Sequence, residues 1–169
     1  HQPHVITFEV TNPRLEGKNL RELHEVIGRD FVVSRIMAPD GQVSIPTSST
    51  VLTLGEKLYV VMSPDDEEVF RTVIGPEIEL EWEEVPSTVV SRRIVITKSE
   101  INGVALGSLR LRAAYNLNAT RVNRAGVDLL ASPSLRLQMG DRITVVGGIN
   151  DINRVAARLG NSLKRLNQP

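Results

Sequence analysis

The sequence predicts an α+β protein built from two tandem copies of one small module. Each copy is a mostly antiparallel sheet with two helices, in the order β-α-β-β-β-α, and a pseudo-twofold is expected to relate the copies. Three stretches of repeated wording and one repeated glycine carry this. Leu54-Gly55-Glu56-Lys57-Leu58-Tyr59-Val60-Val61 returns 85 residues later as Met139-Gly140-Asp141-Arg142-Ile143-Thr144-Val145-Val146, and Gly75 returns as Gly160. Leu15-Glu16-Gly17 returns as Ile101-Asn102-Gly103, and Ser34-Arg35 as Thr120-Arg121, at an offset of 86. One residue is therefore lost between Arg35 and Gly41. A period this long is a domain and not a solenoid unit. The 169 residues suit two domains, each of roughly 80 residues. The expected boundaries are a first module over 1–76, an acidic linker over 77–92, a second module over 93–160 and a polar tail over 161–169.

Each element has its own local signal. Residues 5–11 alternate Val5, Thr7 and Glu9 against Ile6, Phe8 and Val10, which predicts a strand ended by Asn12-Pro13. Leu20, Leu23, Val26 and Ile27 share one face of a short helix. Residues 31–37 read as the second strand. Pro39-Asp40-Gly41 is a turn, and 42–45 pair back as the third strand. The turn 52–56 precedes a fourth strand over 57–62. Gly55 and Gly140 are expected in equivalent tight turns with positive φ, which glycine tolerates at least cost. Ser63-Pro64 and the acids Asp65, Asp66, Glu67 and Glu68 predict a helix start capped by Ser63. Gly75-Pro76 stops that helix.

In the linker, Ile78, Leu80 and Trp82 alternate with acids, a pattern able to pair as an edge strand. The second module predicts strands over 93–97, 118–123, 127–131 and 142–147. Its helices are expected over 106–114 and 151–159.

Composition excludes several classes. Cysteine is absent, so disulfide scaffolds, thiolate metal sites and cysteine nucleophiles are out. No apolar run reaches the ~18 residues of a membrane span, and no signal peptide is recognisable. A chain that opens on His1 is expected to be a piece of a longer protein or to carry a tag remnant. Net charge is zero, but residues 1–84 hold 7 basic against 16 acidic side chains, and residues 85–169 hold 13 against 4. The halves are expected to present complementary fields. A nucleic-acid protein is more often basic throughout, so no nucleic-acid partner is expected.

The chemistry of catalysis is missing. His1, His4 and His24 form no metal-binding pair at helical spacing, and no metal or cofactor is expected. The acids 65–68 suit a helix N-terminus. There is no P-loop, dinucleotide fingerprint or nucleophile elbow. Thr47-Ser48-Ser49-Thr50 has no base nearby in sequence. An enzyme is therefore not expected. What remains are Arg35 and Arg121, at the same point of the second strand in each copy. In the second copy Arg110, Arg112, Asn116, Asn118, Asn123 and Arg124 accompany them. Arginine forks and asparagine amides suit phosphates, carboxylates and base edges, but Arg35 and Arg121 also suit structural ion pairs.

The run Asn12-x-x-Leu15-x-Gly17-x-x-Leu20-x-x-Leu23, then Val32-Val33-Ser34-Arg35-Ile36, Ile45-Pro46 and the Leu54 to Val61 element resembles the TrkA-C domain, the C-terminal domain of regulators of potassium conductance. The second copy matches through Gly103, Leu106, Leu109, Ala119-Thr120-Arg121-Val122 and the Leu137 to Gly147 element. Arg121 to Ser132 further resembles the soluble insert of aspartate:alanine exchanger family transporters, in which two TrkA-C domains lie between membrane halves.

The resemblance implies a cytosolic regulatory or ligand-sensing pair of a bacterial inner-membrane transporter, partnered by the transmembrane part of that parent. A structural dimerisation module, or a regulatory subunit of a potassium channel or cation antiporter, are the alternatives. Some relatives bind a cyclic dinucleotide between two copies through residues that resemble Arg112 and Asn118. The expected site is thus Arg112, Asn118 and Arg121, with Arg35, and the expected ligand an anion such as a nucleotide or cyclic dinucleotide. The first copy departs from this pattern, with Val32 at the strand position and Glu22 and Glu25 on its helix. Module pairing within the chain and homodimerisation are both expected states.

Opposite charge on the two halves gives a direct expectation. Separately produced halves associate at low salt, and analytical ultracentrifugation records an affinity that falls as salt rises.

Overall fold

The computed structural model describes residues 2–162, and the chain divides into two compact units between Ser87 and Thr88. The first unit contains β1 (His4–Glu9), α1 (Leu20–Ile27), β2 (Phe31–Met37), β3 (Val43–Ser44), β4 (Lys57–Met62), α2 (Glu67–Val73) and β5 (Glu77–Ile78). Its sheet runs β3-β2-β4-β1-β5, with every neighbour antiparallel. The second contains β6 (Val90–Ile96), α3 (Leu111–Tyr115), β7 (Asn118–Arg124), β8 (Val127–Leu130), β9 (Arg142–Gly147), α4 (Ile149–Leu159) and β10 (Gly160–Ser162). Its sheet, β8-β7-β9-β6-β10, has the same order and the same antiparallel pairing. The α+β class and the tandem modules are as the sequence predicts.

In each unit one sheet face carries the core. Alternate residues of β1 and β4, namely Ile6, Phe8, Leu58 and Val60, meet Leu23, Phe70 and Ile74. Phe70 lies edge-on to Phe31, with ring centroids 4.9 Å apart, and stacks against Phe8 at 5.9 Å. Such aromatic pairs add about 0.5–1.5 kcal/mol beyond burial. In the second unit Ile94, Ile96, Ile143 and Val145 meet Leu117, Ile152, Val155 and Leu159 in the same way.

The second strand of each sheet carries a β-bulge at one place, between Val33 and Arg35 and between Ala119 and Arg121. A bulge re-aims the side chains beside it. The bulge residues Ser34 and Thr120 are buried.

Several expectations are corrected. The acidic segment 77–92, expected as a linker able to pair as an edge strand, pairs in that way only over Glu77–Ile78. Glu77–Ile78 adds to the edge of β1, Trp82 is 5% exposed, and Val90 already belongs to β6. Apolar alternation in an acidic run was the signal for this edge. The polar tail also begins inside the fold, because Gly160–Ser162 pairs with β6; its remainder, 163–169, lies outside the described residues. Ser63 makes no side-chain cap, because Pro64–Asp66 forms a 3-10 turn and α2 starts only at Glu67. The helix expected over 106–114 is interrupted. Leu106–Leu109 is a 3-10 turn, and Arg110 adopts φ 54° and ψ 44° before a short α3.

Two glycine positions with positive φ recur in both modules. Gly55 and Gly140 take φ 90° and 87° in the expected turns. Gly75 and Gly160 are tighter. A Cβ on Gly75 would strike the carbonyl oxygen of Glu9 and lie 2.5 Å from Thr11 Oγ1. One on Gly160 would strike the carbonyl oxygen of Val95 and lie 2.7 Å from Thr97 Oγ1. Backbone cannot yield there as a flexible side chain can. Gly75→Ala or Gly160→Ala should cost more than about 2 kcal/mol in urea melts, and Gly55→Ala or Gly140→Ala about 1 kcal/mol.

The turns themselves differ in charge. Asp141, 1% exposed, accepts Arg124 Nε at 3.0 Å and Nη2 at 2.8 Å, and its Oδ2 also accepts the Gln138 N–H. In the first unit Glu56 stands in that place, Ala38 replaces the arginine, and Glu56 Oε1 accepts the Thr53 N–H at 2.8 Å. Glu16, nearby, accepts the Leu54 N–H at 2.6 Å. Burial raises the Glu56 pKa above its ordinary value of 4.5; the Thr53 bond opposes this and the Glu16 charge adds to it. The folded state thus holds the proton more tightly than the unfolded chain. This contribution to stability is full below the unfolded pKa and is lost as pH rises through the folded one. Glu56→Gln keeps the acceptor and removes the titration. Melts from about pH 4 to about pH 8 should show the native chain losing stability relative to this variant as pH rises.

Candidate functional site

The second unit contains a cavity of about 350 Å³ between the 3-10 turn, α3, and the strand end that follows it. This lies at the small end of ligand pockets. Leu106, Leu111, Leu117 and Ala119 supply apolar wall, joined by Ala131 and Pro133 from the segment after β8. Arg110, Arg112 and Asn118 supply the polar groups.

Local backbone makes the opening. Gly107 donates its N–H to the Pro133 carbonyl at 2.9 Å, and a Cβ there would lie 2.9 Å from Pro133 Cβ. Only glycine allows that approach without displacement. Arg110 and Asn116 bracket α3 in left-handed conformations, φ 54° and 56°. Non-glycine residues there carry strain of about 1–3 kcal/mol and cluster at binding sites. The short helix is held from behind. Arg154 lies over the Tyr115 ring at 5.1 Å, and Arg158 donates to the Tyr115 hydroxyl at 3.3 Å.

Arg112 is partly buried and donates from Nη1 to Asn116 Oδ1. Burial pulls its pKa below the ordinary arginine range, so the cation lies where a counter-charge is worth more than in water. An anion meeting Arg112 and Arg110, with its apolar body on the leucines, is what this chemistry can hold.

The four expected residues fall in three places. Arg112 and Asn118 share the cavity. Arg121 is on β7 past the bulge, paired with Thr144 and Leu130, and does not line the cavity. Arg35 lies in the first unit and is 3% exposed. Its Nη2 donates to Glu83 at 3.2 Å, and its guanidinium stands 5.3 Å from the Tyr59 ring and 5.7 Å from the Trp82 ring. Trp82 stacks on Tyr59 and donates Nε1–H to Thr7 Oγ1 at 2.8 Å. The segment after β5 is therefore a strap that encloses Arg35. Gly107 and Pro133 escaped the sequence reading, because a glycine inside a helical pattern gives no sign of what approaches it.

Residues 90–160 match the TrkA-C domain, and the second module belongs to that family. The first module repeats its strand order but lies outside the matched span. The whole chain is 49% identical over 169 residues to a protein of Bacteroides thetaiotaomicron named as an uncharacterized transporter. It is 40% identical over 169 residues, with 96% of the chain covered, to one so named from Porphyromonas gingivalis. It is 32% identical over 164 residues, with 97% covered, to a protein of Yersinia enterocolitica named as a transport protein. The chain spans 30% of the length of each of these relatives.

Among solved structures, the C domain of the potassium transport protein KtrA, in complex with cyclic di-AMP, is similar at 23% identity and TM-score 0.37. It covers 43% of this chain and 82% of its own. The GsuK RCK domain reaches TM-score 0.40 at 10% identity, over 93% of this chain and 64% of its own. BusR of S. agalactiae, solved with promoter DNA, reaches 0.38 at 18% identity, over 55% and 42%. The expectation that nucleic acid is no partner rests on the charge distribution alone. No helix among the described residues is long and apolar enough to cross a membrane.

Proposed function

We propose that this chain is the cytoplasmic regulatory piece of a bacterial membrane transporter of the aspartate:alanine exchanger type. In this reading it senses a small anion in its second module and signals to the transmembrane part of its parent, with no catalytic step of its own. The observation that supports it most is the cavity that brings Arg110, Arg112 and Asn118 over an apolar wall. Full-length similarity to part of much longer proteins named as transporters supports the regulatory placement. A nucleotide or cyclic dinucleotide fits the polar set, because guanidinium groups pair with phosphate and an amide with a base edge. A module that only dimerises and binds nothing small is the competing reading.

Thermal-shift and calorimetric titrations with cyclic dinucleotides, adenine nucleotides and aspartate separate the two. A ligand that binds only the folded state must raise its stability. Binding should weaken by about tenfold or more in Arg112→Ala with Asn118→Ala, the loss expected for one charged hydrogen bond. Unchanged binding in that double variant would move the site. Absence of binding by every probe at millimolar concentration would favour the scaffold.

A further inference from the structure

We infer that the pocket is built once per chain: the second module takes one small anion with an apolar body, such as a single nucleoside monophosphate, and the first module takes none. This rests on the ligand-binding reading above and adds its stoichiometry and the symmetry of the ligand.

The repeat places each pocket residue opposite a counterpart in the first module. Gly107 corresponds to Arg21, whose N–H makes the same backbone bond, to Ser48, at 2.9 Å. There the arginine side chain also reaches Ser48 Oγ, Nη2 donating at 3.3 Å, and bridges the two segments. Arg110 corresponds to His24 and Leu117 to Phe31. The His24 ring lies flat on Phe31, with centroids 3.9 Å apart and planes 16° from parallel, and covers it. Arg112 and Asn118 correspond to Val26 and Val32, which offer neither charge nor hydrogen bond. The backbone differs to match. α1 is an unbroken helix of 8 residues with a capping box between Asn19 and Glu22, where the second module breaks at Arg110 and Asn116. The first module therefore has the same frame with the opening bridged by Arg21, covered by His24, and with valines where Arg112 and Asn118 stand in the second.

A twofold-symmetric ligand is read by two identical half-sites. One chain offers a single copy of this site, made from one module, so a ligand with one anionic end and one apolar body matches it without a second copy. The fields agree. The first unit holds 16 acidic side chains against 7 basic, and the second the reverse imbalance. An anion is drawn to the second module and repelled by the first.

Calorimetry of the native chain with adenosine 5′-monophosphate and with cyclic di-AMP, together with sedimentation of the same mixtures, tests this. The expected result is one adenosine 5′-monophosphate per chain, without change of sedimentation. Arg112→Val with Asn118→Val, which installs the first module's residues, should weaken binding at least tenfold. Arg21→Ala with His24→Ala should leave it unchanged. Melting curves of all variants separate loss of a site from loss of fold. Half a ligand per chain with association of chains, two ligands per chain, or weakening by the Arg21 and His24 changes would overturn the inference while leaving a ligand-binding function standing. Binding of neither probe would overturn the inference. Silence from aspartate and the remaining nucleotides as well would remove the ligand-binding reading with it.

Discussion

Each module depends on one close approach. After its second helix the chain must return along the first strand, and it does so where Gly75 passes Glu9 and Gly160 passes Val95. No side chain fits between those backbones. The contact is tied by bonds from Thr11 N–H to the Ile74 carbonyl and from Thr97 N–H to the Leu159 carbonyl. Ile74 and Leu159 are fully buried, so the same point seals the core and launches the fifth strand. Displacing either glycine would separate helix from sheet and free the edge strand together.

On that shared frame the modules have diverged in what they do with charge. In the first, Arg35 is buried and Arg71 is held among carboxylates at the surface. Arg35 is enclosed by Tyr59, Trp82 and Glu83, and Arg71 holds Glu67, Glu68 and Glu77 at 3.5, 2.8 and 2.8 Å. In the second, Arg124 pairs with Asp141, and Arg110 and Arg112 line the cavity, with Arg112 also bonded to Asn116. An acidic module and a basic one are thus built on the same strand pairing.

The frame was legible in the sequence for a physical reason. Strand alternation and the Gly-Glu and Gly-Asp turns encode burial and backbone sign directly, so β2, β4, β7 and β9 fall where the periodicity puts them. Arg112 and Asn118 were legible as a pair. The cavity that joins them was not, since it depends on left-handed arginine and asparagine residues, and neither type announces that conformation as glycine does. Arg35 and Arg121 look equivalent in sequence, yet only Arg35 has a tryptophan strap, supplied from 47 residues further along. Contacts at that range leave no mark on local pattern.

The strap has a spectroscopic consequence. Trp82 is the only tryptophan of the chain, and it is buried in the first module against Tyr59. Its emission therefore reports the packing of that module, while the described residues of the other hold Tyr115 as their one aromatic side chain. An unfolding curve followed by tryptophan fluorescence has its probe in the first module, while far-ultraviolet circular dichroism sums both sheets. Where the two curves separate, the modules melt as independent units; where they coincide, one cooperative transition governs the pair.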